Sequence, residues 1–359
     1  MKYGHLLGLA GLLALWCAIW SCQHKSVEAP VNPDPNLPTQ VTKPTPMEWK
    51  KPANLPEPVY DFTKNPLTVQ GFALGKAMFY DGLLSQNGTI SCGFCHQPAV
   101  AFAHVDHALS HGIRDQIGTR NVPGIQNVAW YREFFWDGGI QDLDLLPISP
   151  IQNPVEMGDT LANVLKKLRN DPRYPALFEA AFGTREINTE RTMKALSQFM
   201  LTLVSANSRY DKAVRGEGPA LEEQEQRGLT IFKAKCATCH ATDLFTDNSF
   251  RNNGLPRIPT AKVDDIGRGA ISLSADDRYK FKVPSLRNIE RTPPYMHDGR
   301  FLSLEQVLTH YATGITDSPT LDPALKTMTL SKQDQNDLIA FFRTLTDYDF
   351  LADRRFQPN

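Results

Sequence analysis

The sequence has little net charge and few alternating apolar runs, and each scarcity argues against a class of protein. Its 38 Lys+Arg and 39 Asp+Glu leave a formal charge of -1, without the clustered basic residues of a nucleic-acid-binding surface. The scarcity of alternating runs argues against a sheet protein. The 359 residues are 41% hydrophobic and 21% charged, which excludes disorder throughout. This length suggests about two domains of roughly 150 residues each.

Cysteine is also scarce, and its placement leaves none for a disulfide within the folded body. Two of the six cysteines, Cys17 and Cys22, accompany the apolar N-terminal stretch. The other four lie in two identical frames, Cys92-Gly-Phe-Cys95-His96 and Cys236-Ala-Thr-Cys239-His240.

The N-terminus has the pattern of an export signal, predicted over residues 1–22. An apolar run at residues 6–20 follows Lys2 and is too short for a membrane span of ~20 residues. Its end, before Cys22, resembles a bacterial lipobox, which predicts a lipid anchor to the membrane, with a plain secretory signal as the alternative. Nine prolines between Ser26 and Tyr60 predict a semi-extended tether over residues 23–60.

Helical spacing of apolar residues predicts a mostly α fold for the rest of the chain. One helix is expected from Leu161 to about residue 170, a second over 193–203, and a third over 338–345. Ser303 and Gln306 form a capping-box pattern that predicts a helix start. Residues 221–235 are Glu/Gln-rich, and they predict a helix that runs into the second cysteine frame.

The C-x-x-C-H spacing is that of covalent haem attachment. The two thiols bind the vinyl groups of one haem, and the next histidine faces the iron. Paired zinc frames are usually only ~15–20 residues apart, whereas these are 144 apart, and a thioredoxin-like pair has no use for the histidine. The frames therefore predict two c-type haems, attached at four cysteines and ligated by two histidines: Cys92, Cys95, Cys236, Cys239, His96 and His240.

Around these frames the sequence resembles the bacterial di-haem cytochrome c peroxidase / MauG family, from Leu67 to the C-terminal helix. The stretches that carry the resemblance are 91–96, 118–123, 134–139, 150–158, 236–240, 283–289 and 292–299. It implies two cytochrome c-like helical domains with one haem each. These are a peroxidatic N-terminal domain over 61–215 and an electron-transfer C-terminal domain over 216–359, whose last helix packs on the first.

The resemblance also implies catalytic residues at the first haem. Glu156 takes the position of the family's distal acid/base, with Pro150 beside it, because cleavage of the peroxide O–O bond requires a proton carrier. In the alternative, Glu156 lies at a helix N-terminus and only interacts favourably with the helix dipole. Leu146 stands where family peroxidases usually have a glutamine. Trp136 matches an indole that relays electrons between the haems, with a packing role as the alternative.

Further ligands follow from the same resemblance. Asn121, Thr292 and Pro294 match residues that bind an interdomain calcium ion through oxygens, with a structural turn as the alternative. Tyr311 takes the position of the sixth ligand of the second haem. MauG also has tyrosine at this position, whereas the peroxidases have methionine. In the alternative, Tyr311 only packs and Met296 or His297 ligates.

The loop before Arg120 resembles the element that supplies a removable ligand to the peroxidatic haem. His111 lies two residues out of register with it, and His104 and His107 lie in the same loop. Either this loop supplies the ligand, or the site is permanently open as in MauG.

Three functions remain open at this point. The leading hypothesis is a periplasmic peroxidase that reduces hydrogen peroxide with electrons from a small cytochrome c or a similar donor. The second is MauG-like oxidation of side chains of another protein. The third is a pure electron-transfer cytochrome. A homodimer is compatible with each of them.

Overall fold

A computed structural model describes residues 43–258 and 264–358 of the chain. In chain order the α-helices are α1 Val69–Tyr80, α2 Cys92–Cys95, α3 Ile148–Gln152, α4 Leu161–Asn170, α5 Tyr174–Phe182, α6 Thr189–Leu201, α7 Arg209–Val214, α8 Glu223–Lys235, α9 Gly269–Ser272, α10 Leu304–Thr309, α11 Lys332–Arg343 and α12 Tyr348–Leu351. Two short strands, β1 Phe250–Arg251 and β2 Phe281–Lys282, pair antiparallel. The prediction of a mostly helical fold is confirmed.

The predicted helices form where their patterns lie. Helix α4 begins after Thr160, whose hydroxyl accepts a hydrogen bond from the backbone N–H of Asn163, and it ends before Asp171. Helix α6 begins after Asn188, and α11 begins at a capping box between Ser331 and Asp334. In each case the cap satisfies backbone N–H groups that have no partner within the helix.

Helix α10 begins as predicted after Ser303, whose hydroxyl accepts from the N–H of Gln306. The chain then continues as a π-helix over His310–Gly314. Single π-helical turns often occur at functional sites, because the extra residue redirects the side chains around it. Tyr311 lies in this turn.

The first of two hydrophobic clusters is built mainly from residues 55–206. Its helices α1 and α6 cross at Gly75, where a Cβ atom would lie 1.9 Å from the carbonyl oxygen of Ala195. Phe79 and Phe199 pack beside this crossing with ring centroids 4.8 Å apart. The C-terminal segment also joins this cluster through Phe350, Leu351 and Phe356.

The second cluster is formed by residues between 210 and 345, and it also contains two helices that cross at a glycine. Helices α8 and α11 cross at Gly228, where a Cβ atom would lie 2.0 Å from the carbonyl oxygen of Asp337. Phe232 and Phe341 pack there with centroids 5.2 Å apart. Because glycine has no side chain, the backbones of the two helices come into direct contact at each crossing. The two clusters lie within one compact unit, and the boundary at 215/216 stays a prediction.

Part of the proline-rich segment packs against the folded body. The indole Nε1 of Trp49 donates to the carbonyl of Leu201, and Leu55 is 2% exposed within the first cluster. Residues 43–60 thus lie on the body, although their composition favours a tether, because their apolar side chains and backbone groups find partners there. The signal segment and the tether up to residue 42 lie outside the described residues.

None of the helices described between residues 43 and 358 combines the length and the apolar character needed to cross a bilayer.

Candidate functional site

The first cysteine frame lies on the short helix α2. The hydroxyl of Ser91 accepts from the backbone N–H of Phe94 at 3.2 Å and starts the helix, which places both thiols on one turn. Cys92 and Cys95 are free thiols, and burial raises their pKa values to about 12 and about 11. His96 ends the helix. Its Nδ1 lies 2.7 Å from the carbonyl oxygen of Phe102, which leaves Nε2 available as a ligand atom.

The second frame repeats this arrangement at the end of α8. Cys236 and Cys239 are also free, and burial raises the pKa of each thiol. The Nδ1 atom of His240 lies 3.0 Å from the carbonyl oxygen of Phe245 and 3.2 Å from that of Pro284. Burial lowers the pKa of both frame histidines, so both imidazoles are neutral, as metal ligation requires.

Each frame opens onto a large cavity. The first cavity has a volume of about 580 Å³ and contains Cys92, Cys95 and His96 in its lining. The second, of about 240 Å³, contains Cys236, Cys239 and His240. Both linings are mostly apolar. Two adjacent free thiols, a histidine fixed through Nδ1 and a cavity beside them fit a covalently attached haem at each frame.

The two cavities are separated by a wall whose residues line both of them. We call it the shared wall: Asn121, Val122, Pro123, Gly124, Trp136 and Lys282. The Nε1 atom of Trp136 donates to the carbonyl oxygen of Asn121 at 2.9 Å, and the carbonyl of Trp136 accepts from the N–H of Lys282 at 2.7 Å. The structure therefore puts the predicted relay residue between the two frames.

Glu156 and Pro150 line the first cavity, as does Leu146. Burial raises the pKa of the Glu156 carboxyl, and a side-chain hydrogen bond with Asn153 opposes this shift. The carboxyl is close enough to the first frame to raise the pKa of Cys95. A carboxyl that holds a proton more tightly than usual in an apolar cavity has the properties of a proton carrier.

Of the three loop histidines, only His111 lines the first cavity. Its carbonyl oxygen lies 3.6 Å from the sulfur of Cys95. The imidazole ring of His107 lies next to that of His111, and the ring of His104 lies next to that of His107, with centroid separations of 5.0 Å and 5.2 Å. His104 is 3% exposed, and its Nδ1 has no hydrogen-bond partner.

The second cavity contains all three residues weighed as its sixth ligand, Tyr311, Met296 and His297. Burial raises the pKa of Tyr311 to about 12, and the thiols of its own frame contribute to this rise. The sulfur of Met296 lies 3.4 Å from Nδ2 of Asn253, and His297 stacks on Phe281 with ring centroids 3.6 Å apart.

The residues expected to bind calcium also line this cavity. Asn121 is 7% exposed, and its backbone N–H donates to the carbonyl of His297 at 2.7 Å. Thr292 and Pro294 lie in the same lining. Among the described residues, no group of three His, Cys, Asp or Glu side chains could hold a metal ion, so a cation here would depend on neutral oxygens.

Sequence reasoning missed Lys282 and the ion pairs near it. The motif that carries the family resemblance was taken to begin at Val283, one residue later. A lysine between the apolar residues Phe281 and Val283 was the available signal. In the sequence, Arg120 served only as the reference position for the loop that contains His111. In the structure it pairs with Asp137 at 2.5 Å and with Asp265 at 2.7 Å.

Comparisons with known proteins agree with this geometry. The family profile "Di-haem cytochrome c peroxidase" matches residues 69–218, and "Cytochrome c" matches 225–346. The chain is 38% identical to the methylamine utilization protein MauG of Methylorubrum extorquens over 304 residues, 83% of each chain. It is 34% identical to the cytochrome c551 peroxidase of Nitrosomonas europaea over 275 residues, 76% of this chain and 79% of the relative.

Among solved structures, the chain resembles a MauG-like protein associated with microbial copper homeostasis. The TM-score is 0.80 at 32% identity, and the match covers 87% of this chain and 99% of that one.

Proposed function

Because the chain belongs to the di-haem cytochrome c peroxidase family, we propose that it reduces hydrogen peroxide to water with electrons from a small cytochrome c or a similar donor. The two free-thiol frames, each beside a cavity and a neutral histidine, carry this proposal. Cys92 and Cys95 hold one haem with His96 as ligand, and the second frame holds the other. When bound, the haem at the first frame supplies the redox-active iron at which peroxide is reduced.

Glu156 is the acid/base of the first cavity. Its carboxylate takes a proton from one oxygen of peroxide and returns it to the other oxygen, so that the leaving oxygen departs as water. The apolar lining, which includes Pro150 and Leu146, raises the pKa of the carboxyl and makes it able both to accept and to release this proton. Two electrons and two protons complete the reduction of each peroxide to two waters.

Trp136 carries electrons across the shared wall. Its indole is large, oxidisable and held by a hydrogen bond to Asn121 between the two cavities. Electrons enter from the donor protein at the second frame and leave at the first. The N-terminal domain, residues 61–215, is therefore peroxidatic, and the C-terminal domain, residues 216–359, accepts electrons.

Tyr311 is the sixth ligand at the second frame. Its phenol is buried close to the thiols of Cys236 and Cys239, whereas the ring of His297 is stacked on Phe281. A tyrosinate ligand stabilises the more oxidised states of an iron, because it adds a negative charge. This favours a second candidate function, the MauG-like use of peroxide to oxidise side chains of a partner protein.

His111 is the removable ligand of the first cavity in this proposal. It is the only one of the three loop histidines in the cavity lining, and its side chain is 25% exposed. A permanently open site is the competing arrangement. Low-spin and high-spin ferric signals in electron paramagnetic resonance (EPR) distinguish the two.

A calcium ion at Asn121, Thr292 and Pro294 is also part of the proposal. The three residues share one cavity lining with the shared wall, and hard cations take carbonyl and hydroxyl oxygens. Removal of the ion with a chelator should perturb the spectra of both haems, and Ca²⁺ should restore them. Spectra that are indifferent to the chelator would count against the site.

The cellular setting completes the proposal. The signal over residues 1–22 exports the chain to the periplasm, and a lipid on Cys22 anchors it to the membrane through the proline-rich segment. Mass spectrometry of the mature N-terminus tests the lipid. Sedimentation of the purified protein tests for a homodimer.

The most direct test of the function is EPR of the full-length protein as isolated, half-reduced and then treated with peroxide. Peroxide should be consumed by the half-reduced or the fully oxidised protein, with a change in the signal of one haem. Two low-spin haems that do not respond to peroxide would leave only the electron-transfer cytochrome. A partner protein whose side chains are oxidised in proportion to peroxide would favour the second candidate function.

A further inference from the structure

Lys282 is the only charged residue of the shared wall. Its backbone is held in β2, opposite Phe250 of β1, and its N–H donates to the carbonyl of Trp136 at 2.7 Å. Its side chain lies at a fixed place as well. Nζ donates to the carbonyl oxygen of Glu133 at 3.0 Å and lies 4.4 Å from the ring centroid of Tyr131. A residue that lines both cavities therefore carries an ammonium group whose position is set by these two contacts.

This ammonium has no anionic partner among the described residues. The nearby carboxylates are engaged elsewhere, since Glu133 pairs with Arg268 at 2.8 Å and Asp137 with Arg120 at 2.5 Å. Burial lowers the pKa of Lys282 to about 8, and the attraction of the Glu133 and Asp137 carboxylates, neither of which pairs with it directly, opposes this shift only in part. Buried charges in proteins are normally paired, because an isolated ion loses its hydration without compensation.

The other cation that lines the first cavity is already neutralised. Arg120 binds the carboxylates of both Asp137 and Asp265. In the second cavity, Arg251 pairs with Asp322 at 2.8 Å and Arg287 with Asp211 at 2.7 Å. Lys235 also lines this cavity, and its Nζ donates to the backbone carbonyl of Thr329. Lys282 thus differs from these guanidinium groups, which bind carboxylates, and from Lys235, which lines only the second cavity.

A haem carries two propionate carboxylates, and these are the anions that the proposed function brings into the cavities. We propose that Lys282 is a positioning residue whose ammonium group binds a haem propionate carboxylate at the shared wall. This inference rests on the proposed attachment of haem at the two frames. A positive charge at the shared wall, which Lys282 forms together with Trp136, would favour the reduced form of the haem whose propionate it binds.

The test compares holoproteins of Lys282→Met, Lys282→Arg and the control Lys280→Met. Lys280 is two residues away, pairs with Asp277 at 3.1 Å and lines neither cavity. Three quantities are measured: covalent haem content by mass spectrometry, the midpoint potential of each haem by spectroscopic redox titration, and the propionate bending band by resonance Raman spectroscopy.

In Lys282→Met, we expect two attached haems, a more negative midpoint potential for at least one of them, and a shifted propionate band. Lys282→Arg should keep the wild-type potentials and shift only the band, since a guanidinium replaces the ammonium. The Lys280→Met control should match wild type in all three quantities.

Unchanged potentials and an unchanged propionate band in Lys282→Met would overturn the inference. Should Met at this position prevent haem attachment, the band of the Lys282→Arg holoprotein decides: a shift supports the ion pair, and identity with wild type contradicts it. A wild-type protein without two attached haems would instead overturn the proposed function, so the two failures are distinguishable.

Discussion

The indole of Trp136 donates its N–H to the backbone carbonyl of Asn121 at 2.9 Å, and both residues line both cavities. This bond fixes the orientation of the ring across the shared wall. It also connects the proposed electron relay to a proposed calcium ligand, so a change at either residue should affect the other.

Trp136→Phe should slow electron transfer between the two frames, because phenylalanine is much harder to oxidise and lacks the N–H donor. We expect roughly a tenfold or larger loss in the rate of peroxide-driven reoxidation of the second haem, measured by stopped-flow absorbance. Trp130→Phe is the matched control, since Trp130 is 1% exposed, donates to the carbonyl of Pro56 and lines neither cavity. Equal effects of the two substitutions would reduce Trp136 to a packing residue.

Glu156→Gln should lower peroxide turnover by roughly 10²-fold or more and leave both haem spectra intact, because the amide is similar in shape but carries no proton between oxygens. Glu190→Gln is the control, since Glu190 lies on the surface of α6 with a side-chain exposure of 71%. Steady-state assays with a reduced donor give the measurement. Unchanged turnover in Glu156→Gln would remove this residue from the mechanism.

The pH dependence of the wild-type enzyme follows from the same carboxyl. Burial raises the pKa of Glu156 above its ordinary 4.5, so the carboxylate form that accepts a proton is lost as the pH falls through this raised pKa. The acidic limb of kcat/KM should therefore lie above pH 4.5, and Glu156→Gln should abolish it. An acidic limb that is identical in the variant must belong to another group.

Tyr311→Phe should convert the ferric haem of the second frame from low spin to high spin, because the proposed ligand oxygen is removed while the ring still fills its place. EPR of the oxidised protein gives the measurement. Met296→Leu and His297→Gln are the matched comparisons, since both residues line the same cavity. A spectrum unchanged in Tyr311→Phe but altered in one of the others would assign the ligand to that residue.

Arg287→Met should destabilise the fold strongly. The guanidinium binds Asp211 through two hydrogen bonds of 2.7 and 2.8 Å, and both side chains are 0% exposed. Removing one partner of a buried pair leaves the other charge uncompensated, at a cost of about 3–5 kcal/mol in the free energy of unfolding.

The control for this substitution is Asp353→Asn. It breaks a pair with Arg355, whose side chain is 74% exposed, and should cost about 1 kcal/mol or less. Guanidinium chloride unfolding of the holoproteins measures both. A loss in Arg287→Met no larger than in the control would show that the buried pair contributes little.

Much of the fold was predictable because its signals are local. The cap residues of α4 and α10 and the apolar spacing of α6 and α11 depend on neighbours within a few positions. The packing of the segment before the first helix was less predictable. Residues 43–60 are proline-rich, yet they pack through Trp49 and Leu55 against distant partners that composition does not reveal.

The sequence by itself determined the haem-attachment chemistry of this protein. A spacing of two residues between thiols and an adjacent histidine places all three groups on one helical turn, as α2 shows. Only the tertiary structure decided what surrounds each frame. It brought His111 into the first cavity but not His104 or His107, and it put Trp136 and Lys282 on one wall between the frames. These contacts join residues far apart along the chain, and burial and pairing of charges exist only once the chain has packed.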